Sequence, residues 1–270
     1  MIFDINELIL NTEDYSFTPF SHQGFGGKTK YIATPKIENL PKLLVKHKGE
    51  FAPPCNGFIY GRLGQLLGVN VPKTYMMNVS EQDRNLFESN CVVGMEFLDE
   101  VQPPDIKRIK ENEYLRKQFI HCFLLAGLFT HFEDNLQCVY IPDQAVYPID
   151  FDDSFGLEYP IFNAALQDNE LAEWFVKRQL EISCQHNLDT YLRVSVETSA
   201  KQLGISTKEV TNEFVSVLQR FCDLGDDELT SVTDALMEFF PPLLAVYYEE
   251  YIHILQKKAA TYVAKNKISG

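Results

Sequence analysis

Two short acidic clusters offer the most reactive chemistry in this sequence. Thr130-His131-Phe132-Glu133-Asp134-Asn135 closes a strongly apolar stretch, and about fifteen residues later Ile149-Asp150-Phe151-Asp152-Asp153 closes another. Carboxylates and a carboxamide so grouped suit Mg2+, a hard cation that takes oxygen ligands and bridges them to phosphates. Either cluster alone is the ordinary solvated surface of an acidic chain. Paired, each beside an apolar element, they favour phosphoryl transfer: one acid of the first cluster orients or deprotonates a hydroxyl acceptor, and Asp150 holds metal. Two further features suit the anion such a site handles. In Gln23-Gly24-Phe25-Gly26-Gly27-Lys28, glycines 24, 26 and 27 let backbone N–H groups approach a phosphate, and Lys28 adds local positive charge. Lys46 ends the apolar run Leu43-Leu44-Val45 in a chain short of cations.

The elements that must position these residues follow from pattern. Lys30 to Thr34 and Leu43 to His47 read as strands, with the glycine turn before the first. Pro53-Pro54 marks a break. From Asn56 to Leu67 the apolar residues recur at helical spacing, with Gly68 as a stop. Val69 to Met77 and Cys91 to Phe97 read as strands. After Pro103-Pro104 the character changes: Glu113 to Phe132 is a helix apolar on more than one face, as a buried helix is. Cys138 to Ile141 and Val146 to Ile149 are short strands, and everything from Phe162 to Lys267 is helical in pattern. The fold class is therefore α+β, with a small antiparallel-sheet lobe over residues 1–100 and a mostly helical lobe over 101–270.

Charge narrows the partners. With 24 basic against 38 acidic residues the formal charge is −14. Such a chain has no general electrostatic attraction to nucleic acid or an anionic membrane, so a polyanion must be held locally. Neither partner is expected. No apolar run reaches the roughly 20 residues of a membrane helix, and the opening residues lack a secretory signal, which makes the cytoplasm the expected location. Six cysteines without a C-x-x-C pair argue against a zinc site or disulfide framework.

In order, the glycine turn, the strand lysine Lys46, the helix from Asn56 followed by Gly68-Val69-Asn70-Val71-Pro72, the run Val92-Val93-Gly94-Met95-Glu96-Phe97-Leu98-Asp99, the buried helix, the acidic loop and Ile149-Asp150-Phe151-Asp152 resemble the HipA-like kinases. These are bacterial relatives of the protein kinase and phosphatidylinositol kinase folds. The resemblance covers roughly Gln23 to Phe155 and implies a two-lobed kinase-like fold, ATP with magnesium, and transfer of the γ-phosphate to a serine or threonine of a protein. It implies that Lys46 and the glycine turn contact phosphates, that Glu96 and Leu98 offer hinge backbone to adenine, that Asp150, Asn135 and Asp152 hold metal, and that Asp134 or Glu133 acts on the acceptor. It also implies a protein substrate or an antitoxin-like partner.

The sequence departs from that family at three places. The helix after the strand lysine usually carries a glutamate just after an asparagine, whereas Asn56 is followed by Gly57. One register of the catalytic loop puts Glu133 and Cys138 where the family has aspartate and asparagine; the other, Thr130 and Asn135, keeps the asparagine and loses the acid. Cysteine is a poor magnesium ligand. Two alternatives stay open beside an active protein kinase: a pseudokinase that binds nucleotide or protein without catalysis, and a small-molecule phosphotransferase of the aminoglycoside-kinase type. Ala200 to Val210 can be read as helix-turn-helix, but its near-neutral charge favours an ordinary helical hairpin.

Overall fold

The computed structural model describes residues 2–20, 30–46, 53, 55–130, 137–149, 154–185 and 187–268. The chain opens with a single helical turn, α1 (Ile5–Leu8), capped by the Asp4 carboxylate accepting from the Asn6 N–H, and passes into β1 (Ile9–Asn11) and β2 (Tyr15–Pro19). β3 (Lys30–Pro35) and β4 (Leu43–Lys46) follow, then α2 (Cys55–Leu66), β5 (Thr74–Asn78), α3 (Arg84–Phe87) and β6 (Cys91–Glu96). The six strands form one sheet in the order β1-β5-β6-β4-β3-β2. Neighbours are antiparallel except β1 with β5, which run parallel.

Alternation gives this sheet two unlike faces. Leu43 and Val45 stand opposite Ala33 and Tyr31, and pack with Tyr15, Phe17, Met77, Val79, Phe87 and Val92 in a small satellite core. Met76, Val93 and Met95 face the other way, into the main core with α2. Helix and sheet approach closely there: a Cβ on Gly61 would lie 2.6 Å from Thr74 Cγ2 and Oγ1, and one on Gly64 2.6 Å from Val71 Cγ1. Gly68 ends this segment at φ 66°, where glycine carries no Cβ penalty. The strand expected over Val69 to Met77 begins only at Thr74, because Pro72 has no N–H for a ladder. β1, β2 and α1 were not anticipated.

The remainder is mostly helical: α4 (Ile106–Glu111), α5 (Glu113–Phe129), α6 (Tyr159–Ala165), α7 (Glu170–Ser183), α8 (Leu188–Leu203), α9 (Thr207–Cys222), α10 (Asp226–Met237) and α11 (Pro242–Ile268). A two-stranded hairpin, β7 (Gln137–Ile141) with β8 (Ala145–Ile149), interrupts it after α5. The fold is thus of the α+β class expected, a sheet followed by helices. One continuous core runs from Leu8 and α2 through α5 to α11. Gly204 (φ 60°) and the Ser206 cap, whose hydroxyl accepts from the Glu209 N–H, make the α8–α9 junction a helical hairpin. The aromatic helix α11 is core: Tyr247, Tyr248 and Tyr251 are buried. Its terminal lysines reach neighbouring elements, Lys258 the Cys184 carbonyl, Lys265 Asp189 and Lys267 Gln219. Among the described residues no helix is long and apolar enough to cross a membrane.

Candidate active site

The two acidic clusters, including Glu133, Asp134, Asn135, Asp150 and Asp152, lie outside the described residues, but the residues that flank them do not. α5 is capped by Thr130, whose hydroxyl donates to the Ala126 carbonyl and whose backbone forms an isolated antiparallel bridge with Ser154. On the far side of both clusters, Gln137 pairs with Ile149 at the open end of the β7–β8 hairpin. The segments 131–136 and 150–153 are therefore bracketed at both ends by paired backbone. Asp150 is covalently next to Ile149, and Asn135 is two residues from that residue's ladder partner.

Phe155 fixes the exit of the second segment. Its N–H donates to the Phe129 carbonyl (2.8 Å), its carbonyl accepts from the Tyr247 hydroxyl (2.9 Å), and its buried ring lies against Phe129, Tyr248 and Tyr251. It does so at φ 62°, which few non-glycine residues adopt and which costs on the order of 1–3 kcal/mol unless the surroundings impose it. Nothing in the local sequence marks Phe155 for this task; its partners come from α5 and α11.

The glycine turn also lies outside the described residues (Gly24, Gly26, Gly27 and Lys28), yet its ends are held: Pro19 pairs with Tyr31, and the Phe20 N–H donates to the Lys30 carbonyl at 2.8 Å. The turn connects the β2–β3 hairpin. Lys46 ends β4, half-buried, paired with Lys30 on one side and Val93 on the other. It lies on the sheet face that α2 packs against, since Val45 points to the satellite core.

Glu96 is the last residue of β6, opposite Leu43, and Leu98 follows it as the chain leaves the sheet. The Glu96 N–H donates to the Lys73 carbonyl (2.7 Å) and the Phe97 N–H to the Lys42 carbonyl (2.8 Å), so both N–H groups are already committed. Lys42 steadies the segment, with its ammonium 4.1 Å from the Phe97 ring centre and 3.2 Å from Asp99.

α2 carries no acidic residue. Its asparagine is bonded to the helical lobe: buried Asn56 donates through Nδ2 to the Leu157 carbonyl (3.2 Å) and accepts through Oδ1 from the Tyr248 hydroxyl (2.7 Å). Gly57 is buried beside it. Cys138 lies on β7 opposite Pro148, and burial pushes its thiol up to about 12, which leaves it a neutral group with little use to Mg2+. The Thr130 hydroxyl is committed to the Ala126 carbonyl. Among the described residues no cluster of three or more His, Cys, Asp or Glu is arranged to hold a metal ion.

No family model matches the chain, and no curated protein matches it. Among solved structures, the chain is similar to a Helicobacter pylori proinflammatory kinase, CtkA, at 12% identity over 94% of this chain and 99% of that one, with a TM-score of 0.44. It is also similar to a chain of the Shewanella oneidensis MR-1 toxin–antitoxin complex of HipA, HipB and operator DNA, at 11% identity over 91% of this chain and 66% of that one, with a TM-score of 0.43.

Proposed function

We propose that this chain is a kinase that binds ATP with magnesium and transfers the γ-phosphate to a serine or threonine hydroxyl of a protein. The observation that carries this reading is the double bracket around the acidic segments: Thr130 bridges Ser154 at one end and Gln137 pairs with Ile149 at the other. Ladder partners sit about 4.5–5.5 Å apart, so the two segments begin and end as neighbours, with Asp150 next to Ile149 and Asn135 two residues before Gln137 in the chain. That donor set, all oxygen, fits magnesium; the Cys138 thiol does not join it.

Asp150, Asn135 and Asp152 would hold the metal, which supplies charge neutralisation at the phosphates. Lys46, the glycine turn and Lys28 would hold the phosphates, and the backbone of Glu96 and Leu98 the adenine edge. Asp134, seconded by Glu133, orients the acceptor. The hydroxyl oxygen bonds to the γ-phosphorus as the bond to the β,γ-bridging oxygen breaks, the hydroxyl proton passes to the carboxylate, and ADP leaves. The small lobe ends near Glu100. A cytoplasmic setting agrees with six free cysteines.

Purified protein with Mg2+ and labelled ATP should show autophosphorylation or transfer to a lysate protein, with Asp134→Asn slowing it by roughly 10²–10⁴-fold and Asp150→Ala abolishing it. No transfer by the wild type, or an Asp150→Ala protein of equal activity, defeats the enzymatic reading. One specific observation favours a second reading, a nucleotide-binding module without turnover: α2 offers no carboxylate to Lys46. Calorimetric ATP binding that needs divalent cation, without transfer, would establish it.

A further inference from the structure

We propose that Lys30 is a second phosphate-binding lysine, acting with Lys46 as a paired cationic clamp for the polyphosphate of a nucleotide. The inference rests on the nucleotide reading above and names a residue that the motif order does not contain. In the β3–β4 ladder Lys30 is directly opposite Lys46, and Lys46 is opposite Val93. Their neighbours Tyr31 and Val45 turn to the satellite core, so both lysines emerge on the opposite face, which holds Val93 and Met95. Directly opposed side chains have Cβ atoms about 4.5–5.5 Å apart, and two ammonium groups on flexible stems at that spacing suit the several oxygens of a phosphate chain.

The next row along the same face gives the ligand its other end. Ile32 pairs with Leu44, and Leu44 with Met95, all three only half-buried. α2 packs on β5 and β6, so it covers the half of the sheet beyond this row. An apolar strip of Ile32, Leu44 and Met95 therefore lies two residues, about 6.8 Å, from the two lysines. Met95 leads directly into Glu96 and the hinge segment. Lys30 also closes the glycine hairpin, through its carbonyl's bond from the Phe20 N–H. One face thus sets an apolar strip beside the hinge and two ammonium groups beside the glycine turn, the polarity of a nucleoside polyphosphate. The ligand class is a nucleoside di- or triphosphate, with the base on the strip and the phosphates between the lysines.

The test is a binding comparison, so it stands whether or not turnover is retained. Titration calorimetry with Mg2+ is run with ATP, ADP and adenosine against wild type, Lys30→Ala, Lys30→Gln, Lys30→Arg and, as a control just past the other end of β3, Lys36→Ala. A charge-assisted contact predicts ATP binding weakened at least about tenfold in Lys30→Ala and Lys30→Gln, adenosine binding within about twofold of wild type, and recovery in Lys30→Arg. Lys36→Ala should match wild type. Wild type that binds neither ATP nor ADP defeats the nucleotide reading itself. Wild type that binds ATP while folded Lys30→Gln binds it equally well, or loses adenosine and ATP affinity alike, overturns the clamp and leaves that reading standing.

Discussion

The anchor of α2 on the helical lobe can be tested by removing one atom. In Tyr248→Phe the ring stays in its cage of Phe155 and Tyr247, but the hydroxyl that donates to Asn56 Oδ1 at 2.7 Å, and that lies 3.1 Å from Cys55 Sγ, is gone. Both residues are fully buried, so no bulk water replaces the donor. Stripping a buried amide oxygen of such a partner costs about 1–3 kcal/mol. For a chain of 270 residues the unfolding entropy near the midpoint is on the order of 0.57 kcal/mol/K, so the expected fall in Tm is about 2–5 °C. Asn56→Ala should cost more, because it also removes the donor to the Leu157 carbonyl. A double-mutant cycle decides whether the two residues act through each other: in the Asn56→Ala background, Tyr248→Phe should cost at most a few tenths of a kcal/mol, giving a coupling of about 1–2 kcal/mol. The readout is urea unfolding followed by circular dichroism and by fluorescence. Additive single effects, or a Tyr248→Phe protein within about 0.3 kcal/mol of wild type, would refute the anchor.

Two further outcomes follow from packing and titration. Gly61→Ala should lower stability by about 1–3 kcal/mol, against the gain of about 0.5–1 kcal/mol that helix propensity alone would bring, because its Cβ would meet Thr74 at 2.6 Å; melting curves read the sign, and Thr74→Ala should relieve the loss. On the alkaline side, burial pushes the Cys184 thiol from about 9 up to about 11. Between those values the unfolded chain ionises this thiol while the native state keeps its proton, so stability falls with rising pH. Urea midpoints from pH 8 to 10.5 should show a shallower decline in Cys184→Ala; an unchanged slope would exclude the thiol as a cause.

Most of the sheet lobe was legible because its signals are local. β3, β4 and β6 fall within a residue or two of the stretches whose β-branched and aromatic content marks them, and α2 within one residue of its periodic pattern. The N-terminal strands escaped for two reasons. β1 has three residues and pairs in parallel with β5, some 67 positions later, so nothing nearby signals it. β2 did carry a period of two, with Tyr15 and Phe17 turned to the satellite core, but Pro19 and the glycine turn masked its length. For the candidate site the sequence offered residue types but no register. That Lys30 opposes Lys46, or that Thr130 bridges Ser154, depends on how hairpins close, and a slip of one residue would send either lysine to the other face.

The missing glutamate on α2 has a physical reading in the same terms. Every α2 residue from Cys55 to Gly64 is buried, and the helix packs on β5 and β6 on one side and α10 on another. A carboxylate on most of its faces would be desolvated without a cation, which costs several kcal/mol. The one cation α2 does carry, Arg62, shows what such burial requires. Its guanidinium donates to the Thr74 carbonyl and to Gln65 Oε1, lies over Phe3, Phe58 and Tyr75, leaves Nε without a partner, and is lowered by burial to about 10. α2 therefore works as a spine: it fastens the sheet to Tyr248 and Leu157, and its glycines set how closely it lies on Thr74 and Val71. An acid at position 57 would compete with that packing. Across the ladder Lys46 has Lys30 as its neighbour on the same sheet face, the pairing on which the proposed clamp rests.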